Sequence, residues 1–87
     1  MVIIYSIRDR KVGTYEKPVY GINLATFLRD LAIAAGQPGS LLGSYPDDFE
    51  VCCLGTFSPE GGVIELNPQP ALLGTVRDLL EAMENAE

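Results

Sequence analysis

Apolar and polar side chains at the start of the chain follow the order of β-strands. Residues 2–8 (VIIYSIR) are mostly β-branched or aromatic, and they place apolar groups on both faces of a predicted strand. A polar turn separates them from residues 12–20, where Gly13 and Pro18 indicate an irregular or edge strand. The two segments together predict a β-hairpin.

A helical pattern follows this hairpin. Asn23 is a residue type that caps helix N-termini, and Gly36 predicts a left-handed end with Pro38 preventing continuation. The apolar positions recur at helical spacing: Leu24, Phe27, Leu28, Leu31 and Ala35. Residues 37–48 are rich in Gly, Pro, Ser and Asp, and they predict a loop.

A second pair of strand-like segments lies beyond this loop. Residues 49–57 (FEVCCLGTF) predict a strand in which strict alternation places Phe57 on the face of Phe49 and Val51. A five-residue connection leads to the returning strand at residues 63–66, which Pro68 and Pro70 are expected to end.

The last segment is amphipathic. Thr75 and Asp78 have the spacing of a capping box, followed by an apolar stripe at helical spacing. The resulting order, ββαββα, predicts an α+β fold with a small antiparallel sheet of about four strands and two helices. Residues 1–87 form a single domain, with 67–87 a Pro-rich connection and a C-terminal helix.

A chain of 87 residues can bury only a limited fraction of its apolar surface on folding. Because the first and third predicted strands are apolar on both faces, either each face of the sheet carries a helix or one face meets another subunit. We favour a homo-oligomer, most simply a two-fold dimer. The candidate interface is the apolar stripe of the terminal helix: Val76, Leu79, Leu80 and Met83.

Charge is distributed unevenly along the chain, whose formal net charge is -6. Residues 1–43 carry five basic and three acidic groups, whereas residues 44–87 carry one basic and nine acidic groups. Basic and aromatic residues interleave in the first hairpin, a combination that binds phosphates and stacks on unpaired bases. The DNA-binding candidates are Arg8, Arg10, Lys11, Tyr15, Lys17 and Tyr20. The plain alternative is a solvated hairpin whose charges protect an edge strand.

Residues suited to catalysis are few. The chain has no His, so the commonest general base at neutral pH is absent. Adjacent Cys52 and Cys53 are unsuited to a mutual disulfide or to a four-ligand zinc site. Asp47, Asp48 and Glu50 form an acidic cluster without a calcium-loop pattern. We therefore expect no enzyme, no metal and no cofactor.

Several short segments carry a family resemblance. The most specific is residues 45–51 (YPDDFEV), followed by residues 54–57 (LGTF), with residues 5–9 (YSIRD) and the helix segment 29–31 (RDL) in support. Over about residues 3–66 the chain resembles the small nonstructural protein of gokushovirus-type microviruses, tailless phages with single-stranded circular DNA genomes. The resemblance implies a non-enzymatic, DNA-binding protein that favours single-stranded genome synthesis and packaging.

Two functional hypotheses follow. In the first, the basic aromatic hairpin binds viral single-stranded DNA or the replication or packaging complex that carries it. In the second, the acidic half contacts a host replication factor or the assembling capsid without touching DNA. No apolar run approaches the roughly 18 residues of a membrane helix, and no secretion leader precedes the first strand. We thus expect no membrane contact and a location in the cytoplasm of the infected bacterium.

Overall fold

The computed structural model describes residues 1–85 and contains one sheet with three helices. The strands are β1 (Val2–Asp9), β2 (Thr14–Tyr15), β3 (Val19–Gly21), β4 (Phe49–Ser58) and β5 (Val63–Thr75). The helices are α1 (Leu24–Ala35), α2 (Leu41–Ser44) and α3 (Val76–Asn85). No helix in this described part is long and apolar enough to cross a membrane. The α+β prediction is confirmed, although the structure adds one short helix and one short strand.

The sheet is antiparallel throughout, in the order β2-β1-β4-β5, with β3 also paired to β1. The predicted second strand is therefore two short strands on the same edge of β1. Tyr15 lies opposite Arg8, and Val19 lies opposite Tyr5. The step from Tyr15 to Val19 is therefore four residues, one more than the three-residue step between their partners on β1. This extra residue explains why the segment around Pro18 leaves the sheet.

The main hydrophobic cluster lies on one side of the sheet. Helices α1 and α3 both pack there, and the Tyr5 ring stacks on Phe27 with their ring centroids 4.2 Å apart. The buried cluster comprises Tyr5, Phe27, Leu31, Phe49, Val51 and Val76. Of the two arrangements that the sequence left open, a helix on each face is therefore wrong. The opposite side of the sheet carries no helix within residues 1–85.

A β-bulge in β4 changes which face its second half presents. Tyr5 pairs with Cys53 whereas Ile4 pairs with Gly55, so Leu54 is the additional residue. Because side chains alternate along a strand, one inserted residue reverses the orientation of all that follow. Phe57 lies opposite Val2, on the face away from the core, and its predicted placement with Phe49 is wrong.

The predicted Pro-rich connection is part of strand β5, which continues to Thr75. Prolines are tolerated there because β5 is an edge strand whose register shifts between the pairs Cys53–Ala71 and Gly55–Leu66. Asn67 supports this irregular stretch, since its side-chain amide donates to the Cys53 carbonyl oxygen at 3.0 Å.

Both long helices begin at the residues that the sequence predicts. The Asn23 side chain accepts from the Thr26 amide at 2.8 Å. Thr75 and Asp78 form the predicted reciprocal capping box, with Asp78 N donating to Thr75 Oγ1 at 3.1 Å. Gly36, in contrast, ends α1 in a right-handed conformation with φ -80°, so the predicted left-handed end is wrong. The left-handed glycine follows three residues later, at Gly39.

Candidate nucleic-acid interface

The side of the sheet opposite α1 and α3 is termed the open face. Directly opposed residues of antiparallel strands point to the same side, and Tyr5 in the core fixes the side that the helices cover. By this register the open face comprises Val2, Ile4, Ser6, Arg8, Tyr15, Tyr20, Glu50, Cys52, Phe57, Ile64, Leu66 and Leu72. Ile4, Ser6 and Cys52 are buried at its centre, where Ser6 Oγ donates to the Glu16 carbonyl oxygen at 2.7 Å. The rest is aromatic and aliphatic, with Arg8 and Glu50 as the charged pair among the described residues.

Three of the predicted DNA-binding residues lie together on this face. Tyr15 is directly opposite Arg8, and Tyr20 is directly opposite Ile4. The two tyrosines are 46% and 64% exposed, so their rings are accessible from solvent. Strands β2 and β3 hold them because both pair with the outer edge of β1.

Phe57 joins this aromatic group, and sequence reasoning missed it. Its ring centroid lies 6.3 Å from that of Tyr20, with the planes inclined at 55°. Only the bulge at Leu54 brings Phe57 to this side. Strict alternation carries no signal for the bulge, although Gly55 within the strand is a residue type that often marks one.

Arg8 is held by an ion pair on the open face. Its Nη1 donates to Glu50 Oε1 at 3.1 Å, across the β1–β4 ladder. Neither side chain is fully exposed, so the pair is less screened than one on a free surface. The pair holds the guanidinium at Glu50 and offsets the charge of the one acid that the register of the described strands places on this face.

The other basic candidates lie in the two loops that flank β2. Lys11 lines a cavity with Leu41 of α2 and the core residue Phe49, on the side that the helices cover. Arg10 follows β1, where its amide donates to the Asp48 carbonyl oxygen at 2.8 Å and Nη1 donates to that of Asp47 at 3.0 Å. Lys11 lies in the turn that the Asp9 carboxylate caps by accepting from the Lys11 amide at 2.9 Å. Lys17 lies between β2 and β3 and is exposed. Among the described residues, none of these three cations forms an ion pair.

The predicted acidic cluster is dispersed in the structure. Asp47 Oδ1 accepts from Arg77 Nε at 2.7 Å, and this contact raises the pKa of Arg77. Glu50 is engaged by Arg8 on the open face. Within residues 1–85, no group of three or more His, Cys, Asp or Glu side chains is placed to hold a metal ion.

The apolar stripe of α3 is used largely inside the chain. Val76 is fully buried in the core, and Leu79 and Leu80 pack against that core. Met83 is partly exposed. Val76 is therefore unavailable to a partner of the folded chain, whereas the proposed participation of the other three in an interface stays a prediction.

Both cysteines are free thiols on neighbouring positions of β4. Cys52 is buried on the open face beneath its neighbours, whereas Cys53 is partly exposed. Burial raises the pKa of the Cys52 thiol, and the Glu50 carboxylate adds to this effect. A raised pKa keeps the thiol protonated and unreactive at neutral pH.

These features define a class of small α+β protein with a helix-covered sheet and an opposite face rich in aromatic side chains. The chain belongs to the phage ORF5 protein family, whose model matches residues 2–79. That match includes all five strands and the first residues of α3. No curated protein and no solved structure matches the chain.

Proposed function

We propose that this phage protein binds single-stranded DNA through the β1–β3 side of its open face. The observation that carries the proposal is the placement of Arg8, Tyr15 and Tyr20 on one side of the sheet, with the exposed Tyr20 ring beside Phe57. The binding would support single-stranded genome synthesis and packaging over duplex replication in the cytoplasm of the infected bacterium. No catalytic step, metal or cofactor is part of the proposal.

Exposed aromatic rings on a sheet are suited to unpaired bases. A base stacked on an aromatic side chain contributes about 1–3 kcal/mol, and the contact tolerates any sequence because every base has a π-face. Sheets covered by helices on one side bind single-stranded RNA in this way through aromatics on the other side. Duplex DNA keeps its bases stacked on one another, so the same rings favour a single strand.

In this proposal the three remaining basic candidates contact the phosphates. Arg10 and Lys11 lie in the loop before β2, and Lys17 lies in the loop after it, so all three are close in sequence to Tyr15. Each phosphate that they neutralise releases counterions, and on single strands this gives a slope of about 0.7 in log affinity against log salt per contact. The net charge of the protein is -6, so its acidic residues repel the DNA phosphates. We therefore expect moderate affinity that falls steeply with salt.

The test is fluorescence anisotropy of a labelled mixed-sequence oligonucleotide at several salt concentrations. R10A/K11A is expected to weaken binding and to reduce the salt slope by about 1.4, because two phosphate contacts are lost. Tyr20→Ala is expected to weaken binding about tenfold or more with the slope unchanged, because it removes a stacking ring rather than a charge.

Arg29→Ala is the matched control, since it removes an exposed arginine from α1 in the helical layer. It should retain wild-type affinity apart from a small change in overall charge. Absence of binding by the wild-type protein at low salt contradicts the proposal. Equal losses for Arg29→Ala and R10A/K11A also contradict it, because they indicate a nonspecific charge effect.

A second candidate function rests on the acidic surface of the C-terminal half. Asp78, Glu81 and Glu84 lie on α3, and Asp47 is tied to this helix through Arg77. Such a surface suits a basic partner protein involved in host replication or capsid assembly. A pull-down from infected cells separates the two functions: partners that survive nuclease treatment favour this candidate, and partners lost with the DNA favour the first.

A further inference from the structure

Strand β5 exposes an unusual amount of apolar surface at the edge of the sheet. Its five large exposed side chains are between 39% and 69% accessible to solvent. These residues, here termed the apolar margin, are Val63, Ile64, Leu66, Leu72 and Leu73. Ile64, Leu66 and Leu72 lie on the side of the open face, whereas Val63, opposite Ser58, points to the other side of the sheet.

An uncovered margin of this kind is unusual for a monomer. Proteins normally protect edge strands with charged residues, short length or covering elements. Here β5 is 13 residues long, and its residues 66–75 (LNPQPALLGT) contain no charge. Pro68 and Pro70 interrupt the backbone pattern only in the middle of the strand, leaving residues 63–66 and 71–73 on either side. Exposed apolar side chains along a long, uncharged edge strand are typical of an interaction site.

We infer that a second copy of this chain covers the apolar margin. The charge distribution favours a second copy that docks at this surface. Two chains of net charge -6 repel one another across most approaches. The acidic residues of α3 make that helix a less favourable contact than the margin, so the margin replaces the stripe of α3 as the proposed interface. The uncharged margin allows two copies to meet with no like charges opposed along residues 66–75. A nucleic acid or a basic protein would gain nothing electrostatic at this surface.

A two-fold axis through the margin joins identical surfaces and closes the assembly at two subunits. It also supplies burial that a chain of 87 residues lacks, because only eight hydrophobic residues are buried within residues 1–85. In the sheet order, β5 lies at the edge opposite β2. The two proposed DNA-binding surfaces would therefore lie at the outer ends of the dimer, which allows both to engage one strand. The dimer itself does not depend on DNA binding.

The test is the solution mass of the full chain, measured by light scattering and sedimentation from low to high micromolar concentration. The wild-type protein is expected at twice the 9.4-kDa chain mass. Leu66→Glu places two carboxylates across the two-fold interface and is expected to raise the dimer dissociation constant at least about tenfold. Circular dichroism of the variant establishes that it remains folded.

Leu41→Glu is the matched control because it makes the same change at a leucine on α2 that is 61% exposed, against 69% for Leu66. It should remain dimeric. A wild-type monomer throughout the concentration range overturns the inference even if Leu66→Glu fails to fold. Mass growth beyond two subunits overturns the closed two-fold arrangement, and equal dissociation of both variants overturns the role of the margin.

Discussion

Gly55 is the position where a single methyl group matters most to the sheet. A Cβ at this residue would overlap the Glu65 carbonyl oxygen and lie 2.9 Å from Leu66 Cα. Both neighbours are backbone atoms of the paired strand, so they move only if the β4–β5 ladder shifts. We predict that Gly55→Ala lowers the free energy of unfolding by about 1–3 kcal/mol.

Gly61→Ala provides the comparison in urea unfolding. Its Cβ would meet Val63 Cγ2 at 3.5 Å, which is an ordinary contact in the β4–β5 turn. This variant should match the wild-type protein within about 0.5 kcal/mol. Equal stability of the two variants contradicts the account of close strand approach at the bulge.

Cys52 gives the molecule a predicted weakness at alkaline pH. Burial raises the pKa of its thiol from an ordinary value of 9.0. Between the ordinary and the raised pKa, the unfolded chain releases a proton that the folded chain keeps. The contribution of this thiol to the free energy of unfolding is thus full below its ordinary pKa. It declines as pH rises toward the raised pKa.

Urea unfolding at pH values on either side of 9.0 tests this dependence. Measurements stay below pH 10.0, where the ordinary tyrosine pKa would add the effect of buried Tyr5. Cys52→Ala should lose less stability over the interval than the wild-type protein. If Cys52→Ala keeps the wild-type dependence of the free energy of unfolding on pH, another group causes the effect.

Helix starts were predictable because a cap involves only neighbours in the sequence. Asn23 reaches an amide three residues on, and the Thr75–Asp78 pair spans the same distance. The face of Phe57 was not predictable, because it depends on how β4 pairs with β1 across the bulge. The continuation of β5 through Pro68 was missed for a related reason: a proline ends a central strand but is tolerated on an edge, and the edge is set by topology.

The N-cap of α1 has a measurable contribution to stability. Asn23→Ala removes the 2.8 Å hydrogen bond to the Thr26 amide and is predicted to cost about 1 kcal/mol. Ser40→Ala removes the equivalent contact of α2, which is longer at 3.4 Å and serves a helix of four residues. Thermal unfolding should therefore show a smaller change for Ser40→Ala. A larger effect at Ser40 would contradict the assignment of Asn23 as the stronger of the two caps.

The molecule as a whole separates three surfaces around one sheet. The helices α1 and α3 cover one side, the basic and aromatic residues lie toward β2, and the apolar margin lies on β5 at the other edge. Sequence reasoning selected the basic and aromatic residues by type, and the structure brings Arg8, Tyr15 and Tyr20 to one side. It did not find the open face itself, because the packing of both helices on the same side is a long-range outcome.

The central claim, that this phage protein binds single-stranded DNA on its open face, is tested most directly by nuclear magnetic resonance. The labelled protein is titrated with an unstructured oligonucleotide, and amide shifts are mapped onto the structure. The account predicts saturable shifts at Arg8, Tyr15, Tyr20 and Phe57, with residues of α3 largely unchanged. Shifts confined to α3, or no shifts at low salt, would contradict it.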